Sequence, residues 1–264
     1  MKDYKMIKDE IIEFLKRHFE VSGAKSFILG ISGGIDSTLV LALAVEAVGK
    51  ENIKVYSLPY FEALNSSIKA LDIAFHYDVW KMTICIKPIV DIFGVNSTYR
   101  LGNIMARTRM TILYDQAMSY NGLVLNTCNL SEDLIGYATK FGDAAGDLAP
   151  IAHLTKNEVY ELAEYMKIPE EFINRVPSAE LWEGQSDSGE LKFSYDELDS
   201  IIDKYRINCY SSINKSFTVD FPTWMFTHKR LFDIPVSEYI WDIIYDKACK
   251  ALHKLNPMPS LIHY

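Results

Sequence analysis

The residues best suited to chemistry lie in one turn, Gly30-Ile31-Ser32-Gly33-Gly34-Ile35-Asp36-Ser37. An apolar run, Phe27-Ile28-Leu29, enters it, and the unbroken segment Ser37-Thr38-Leu39-Val40-Leu41-Ala42-Leu43 leaves it. Strand, polar turn and helix in that order make an anion site, because backbone N–H groups point outward at the positive end of a helix dipole. Gly33 and Gly34 let the main chain approach phosphate oxygens closely. Ser32 and Ser37 add hydroxyl donors, and Asp36 offers a hard oxygen ligand suited to magnesium. No lysine follows the glycines, which excludes the ordinary G-x-x-x-x-G-K-[ST] phosphate loop.

Other candidates follow at wider spacing. After the apolar Leu123-Val124-Leu125 comes Asn126-Thr127-Cys128-Asn129-Leu130-Ser131-Glu132-Asp133. Thr127 can donate to a nucleotide. Glu132, a turn into the next helix, can complete a metal site with Asp36, although Ser131-Glu132 suits plain helix capping equally well. Lys140 sits between small residues in a loop well placed to hold an anion. Lys156 opens a helix, where the dipole disfavours a cation, so it needs a compensating partner; a bound phosphate would be one. Arg107 and Arg109 share a helix but point in different directions, so both cannot serve one site equally.

The elements that must position these groups alternate. Residues 3–20 carry Ile7, Ile11, Phe14, Leu15 and Phe19 at helical spacing, with Gly23 as a stop. Lys25–Ile31, Ile53–Leu58, Val79–Ile84 and Leu123–Leu125 read as strands. Ser37–Val48, Asn65–Phe75 and Asn103–Tyr120 read as the helices between them. Such alternation predicts an α/β fold, a doubly wound parallel sheet with helices on both faces. Ligands of such sheets lie beyond the carboxyl ends of the strands. Further helices are expected over Lys156–Met166, over 194–205 behind a Ser194/Glu197 capping box, and over Ser237–Leu252, with a long loop at Val176–Leu191.

The 264 residues suit one substantial domain, and 49% hydrophobic with 23% charged residues is ordinary globular composition. A formal net charge of −8 argues against generic nucleic-acid or membrane-surface binding, which calls for a basic field. Cys85, Cys128, Cys209 and Cys249 are scattered and read as reduced thiols, so a cytoplasmic protein is expected.

The Gly30–Ser37 turn resembles the pyrophosphatase-type loop of ATP-dependent adenylating enzymes. In order and spacing, GISGGIDS, GNIMARTRM, NTCNLSED, GYATKFGDAAGDLAPI, LTKNEV, VPSAELW, SDSGEL and FSYDELD resemble the ammonia-dependent NAD synthetases across residues 25–205, and LHKLNPMPS resumes the likeness near the end. The resemblance implies a Rossmann-like fold of the adenine nucleotide alpha hydrolase type, as a single domain over 1–264. It implies adenylation of the nicotinate carboxylate of deamido-NAD by ATP with Mg2+, then amidation by ammonia, giving NAD, AMP and pyrophosphate. Gly30, Ile31, Ser32, Gly33, Gly34, Ile35, Asp36, Ser37, Thr127, Lys156 and Ser178 would bind ATP, and Asp36 and Glu132 would hold the metal. Arg107, Lys140, Asp147, His253 and Lys254 would bind deamido-NAD, with Asp36, Lys156 and Asp147 closest to the chemistry. His253-Lys254 is preferred to His228-Lys229 because its flanking prolines and end position match the family better.

Asn126 replaces a glycine common in the family, Ala144-Ala145 replace a frequent Gly-Gly, and Ser178 stands for a threonine. Residues 206–235 match nothing in it and read as an insertion. Family members are homodimers, so a homodimer is expected. Two other classes share the loop: tRNA-modifying adenylating enzymes, which need a basic RNA surface, and non-catalytic ATP-binding regulators, which would leave Lys156, Glu132 and Ser178 without a purpose.

Overall fold

Strand β1 (Ser26–Gly30) is the axis of a four-stranded sheet completed by β2 (Ile53–Ser57), β3 (Trp80–Thr83) and β4 (Gly122–Val124). The order is β3-β2-β1-β4, and every pair is parallel. This computed structural model describes residues 2–60, 64–174, 191–211, 216–217, 219–228 and 236–255. The helices in chain order are α1 (Tyr4–Ser22), α2 (Ile35–Val48), α3 (Leu64–His76), α4 (Lys87–Val90), α5 (Thr98–Ser119) and α6 (Leu130–Leu134). They continue as α7 (Lys156–Tyr165), α8 (Glu170–Ile173), α9 (Tyr195–Cys209), α10 (Phe221–His228) and α11 (Glu238–Leu255). A two-stranded antiparallel ribbon, β5 (Tyr210–Ser211) with β6 (Ser216–Phe217), follows α9.

Side chains alternate across a strand, and here both faces are apolar, as a parallel sheet covered on two sides requires. Phe27, Leu29, Ile53 and Val55 pack on one face against α1, α2, α3 and α7. Ile28, Tyr56 and Val124 pack on the other, against Met105, Met110 and Leu113 of α5. Helix α2 is buried on nearly every side, so its sequence is apolar all round rather than striped. A third cluster joins α6, α9, α10 and α11, with Trp224 at its centre.

Chain order reverses between β1 and β4. Their carboxyl ends therefore open onto a crevice, and the 30–37 and 125–132 segments leave the sheet side by side there. Leu125 extends the pairing through a parallel bridge to Leu148.

The alternation read from sequence matches this sheet, with three informative differences. Helix α5 begins at Thr98 rather than near Asn103, because Gly102 is buried inside it and packing outweighs the glycine's helix cost. Phe221, Trp224 and Met225, in a stretch that sequence could not place, are core residues of the third cluster. Helix α11 runs to Leu255, so His253 and Lys254 ride on its last turn. No helix among the described residues is long and apolar enough to cross a membrane.

Leu29 is fully buried one residue before the Gly30 turn. Leu29→Ala is expected to cost about 2–5 kcal/mol in denaturant unfolding, the range for emptying a packed leucine site.

Candidate active site

The glycine-rich turn joins β1 to α2. Gly33 has φ +90°, a left-handed conformation that a side chain would strain. Gly34 is the N-cap of α2 and brings no side chain over the first turn. Ser32 Oγ accepts from the Gly34 N–H at 3.2 Å and lies 3.4 Å from Ser37 Oγ. Ser37 and Thr38 hydroxyls donate back to the Gly34 carbonyl at 3.1 and 2.8 Å. The turn is thus braced from within, at the positive end of a fourteen-residue helix. Asp36, in the first turn, is stabilised by the same dipole.

Asp36 does not face outward alone. Lys156 Nζ donates to Asp36 Oδ2 at 2.6 Å and to Glu132 Oε1 at 3.1 Å, and Lys156 is only 1% exposed. Asn129 Nδ2 donates to the other Asp36 oxygen at 2.9 Å. Asn129 is also the N-cap of α6, in a capping box with Glu132. Glu132 therefore caps with Oε2 and meets Lys156 with Oε1, so the helix-capping expectation is met. Lys156 was expected to need an anion at its helix start; here the anions are the two carboxylates, and no phosphate is required to account for it. The Tyr195 ring, 5.2 Å from Nζ, adds a cation–π contact that sequence did not suggest.

Two hard carboxylates converging on one cation also suit magnesium, which takes one or two carboxylates and completes its shell with phosphate oxygens and water. Among the described residues no cluster of three or more metal-binding side chains occurs. Thr127 lies half-buried between Asn126 and Asn129 in the turn beyond β4.

A second group gathers around the 136–147 loop. Arg107 Nε donates to the Lys140 carbonyl at 3.2 Å. Lys140 Nζ donates to the His253 carbonyl at 2.5 Å, and Lys254 Nζ donates to the Gly136 and Ala138 carbonyls at 2.6 and 2.8 Å. Burial holds the Lys254 ammonium below the usual lysine range. Gly136, at φ +63°, permits this approach: a Cβ there would fall 2.6 Å from the Ala251 Cβ. Arg107, Lys140, His253 and Lys254 thus share one neighbourhood. Arg109 turns away to the Leu58 carbonyl, 3.0 Å from its Nε.

His228 does not join them. Its ring stacks on Trp224 and its Nδ1 lies 2.9 Å from the Trp224 carbonyl. Asp147 is exposed, and its Oδ2 accepts from the Val124 N–H at 2.7 Å, beside β4. Asn126 is a residue whose role sequence reasoning missed. Its Nδ2 donates to the Asp143 and Ala145 carbonyls at 2.8 and 3.1 Å, and its Oδ1 accepts from the Cys128 N–H. A glycine there could brace neither segment. Ser178 and Lys229 lie outside the described residues.

Known proteins resemble this chain. The NAD synthase family model matches residues 7–219. The NH(3)-dependent NAD(+) synthetase of Thermococcus kodakarensis is 44% identical over 208 residues, which cover 76% of this chain and 80% of that protein. Among solved structures, the NMN synthetase from Francisella tularensis has a TM-score of 0.81 at 28% identity, covering 99% of both chains. The NH3-dependent NAD synthetase from Campylobacter jejuni, in complex with the nitrate ion, has a TM-score of 0.78 at 27% identity, covering all of both chains. Helices α10 and α11 fall beyond the family model's match, yet the full-length structural likenesses span them. A match over most of the chain, and a 44% identical relative covering 76% of it, show that the chain belongs to the NAD synthase family.

Proposed function

We propose that this chain is an ammonia-dependent NAD synthetase that adenylates the nicotinate carboxylate of deamido-NAD and then amidates it. The observation that carries the reading is the meeting of Asp36, Glu132 and Lys156 beside a glycine turn, at the point where chain order reverses.

The Gly30–Ser37 amides and the α2 dipole bind the triphosphate, with Ser32, Ser37, Thr127 and Ser178 as hydroxyl donors and Lys156 as the fixed cation. A magnesium ion held by Asp36 and Glu132 would neutralise phosphate charge and ease departure of pyrophosphate. Arg107, Lys140, His253 and Lys254 bind deamido-NAD. Its carboxylate oxygen attacks the α-phosphorus of ATP, and the bond to pyrophosphate breaks. Ammonia, left after ammonium gives a proton to Asp147, attacks the carbonyl carbon of the mixed anhydride. AMP leaves with the electrons of the C–O bond, a second proton is lost, and the amide remains. A carboxylate is a poor electrophile, so activation must precede amidation.

The full-length likeness to an NMN synthetase favours a second reading of the acceptor, nicotinate mononucleotide, with the same chemistry. We further take the protein to be a cytoplasmic homodimer. The exposed Ile89, Ile92, Phe93 and Tyr99 around α4 and the start of α5 support a self-contact face.

Purified protein with ATP, magnesium, ammonium and deamido-NAD is expected to yield NAD, AMP and pyrophosphate in equal amounts, read by chromatography. ADP as product would overturn the adenylation step, and a higher kcat/KM with nicotinate mononucleotide would establish the second acceptor. Asp36→Ala is expected to lower kcat about 100-fold or more, whereas Lys140→Ala raises KM for deamido-NAD ~10-fold, the worth of a charge-assisted hydrogen bond.

The carboxylate pair is already neutralised in part by Lys156, which should make the free protein a poor metal binder. Lys156→Met is expected to tighten binding of Mn2+ alone by about tenfold or more, since a unit charge this close is worth kilocalories even when screened. Equal Mn2+ affinity in calorimetry without nucleotide would mean that Lys156 does not compete for the site.

A further inference from the structure

Asp199 is buried on α9, 3% exposed, outside the turn that would hold ATP. It reaches the two segments that carry Glu132 and Lys156. Its Oδ1 accepts from the Ser131 hydroxyl, and its Oδ2 accepts from the Asn157 N–H at 2.9 Å. Ser131 Oγ in turn accepts from the Lys156 N–H at 2.9 Å. Ser131 precedes Glu132, and Asn157 follows Lys156. One carboxylate therefore grips the neighbour of each.

An apolar residue would fill the space between α6, α7 and α9 at lower desolvation cost, and burial pushes the Asp199 carboxyl up to about 6. The geometry offsets that cost with two N-terminal amides of α7, one direct and one through Ser131, where the helix dipole favours an anion. The same anion lowers the penalty of placing the Lys156 ammonium at a helix start.

We propose that Asp199 is a positioning residue which, through Ser131 and the α7 amides, sets the spacing between Glu132 and Lys156. This rests on the adenylation reading above. Its effect should be confined to the ATP and metal half of the site, because Arg107, Lys140 and Lys254, proposed for the other substrate, are held in place by separate hydrogen bonds.

The test compares wild type with Asp199→Asn, Ser131→Ala and Ser131→Thr. Magnesium–ATP binding is read by calorimetry without the second substrate, and steady-state kinetics are read with both. Asp199→Asn keeps the shape but cannot accept from Ser131 and Asn157 as a carboxylate does. Asp199→Asn and Ser131→Ala are each expected to weaken ATP binding ~10-fold or more and raise KM for ATP alike, leaving KM for deamido-NAD within twofold. Ser131→Thr, which keeps the hydroxyl, should restore most of the loss. The double variant Ser131→Ala with Asp199→Asn should be little worse than either single one, as expected of one relay. Equal increases in both KM values, unchanged ATP binding, or additive losses in the double variant would overturn the proposal. Wild-type protein that binds no ATP would instead overturn the adenylation reading.

Discussion

A lysine ammonium closed in between two carboxylates is the constraint on which the rest depends. Lys156 is almost fully buried, so its charge must be met inside the protein, and a buried pair that loses one partner is costly to stability. Asp36 comes from the first turn after β1, Glu132 from the segment after β4, and Lys156 from the start of α7. Only a sheet that places β1 and β4 side by side and parallel delivers all three to one point. Two carboxylates and one ammonium leave a net negative remainder at that point.

Much of this was legible in the residues. The β1 turn could be read because glycines, hydroxyls and an aspartate between an apolar strand and an apolar helix admit few structures. The parallel sheet could be read because its strands are apolar on both faces. Lys156 was conspicuous because a cation at a helix start is locally wrong, and locally wrong residues mark places where tertiary structure compensates. What compensates could not be read, since Asp36 lies 120 residues away from it in sequence. Asn126, Asn129 and Asp199 were missed for the same reason. Each acts through bonds to main-chain or side-chain groups far along the chain, and an asparagine or aspartate taken alone suggests only a turn or a cap.

The stretch after Arg206 shows the opposite limit. Its aromatic residues carry no periodic signal strong enough to separate core from surface. Trp224 is nonetheless the centre of a cluster that includes Tyr205, Phe221 and Trp241. That cluster supports α6 from below, and so supports the helix on which Glu132 sits. A region that sequence could not place is thereby part of the foundation of the carboxylate–lysine cluster.

The crossed lysine bonds between the 136–147 loop and the end of α11 join residues more than a hundred positions apart. Their formation depends on synthesis having passed the end of α11, the last helix among the described residues. A growing chain can assemble the sheet and the glycine turn while still tethered to the ribosome, but the 136–147 loop stays untied until α11 has emerged. The glycine turn can thus be in place before the neighbouring loop is fastened during the birth of each molecule.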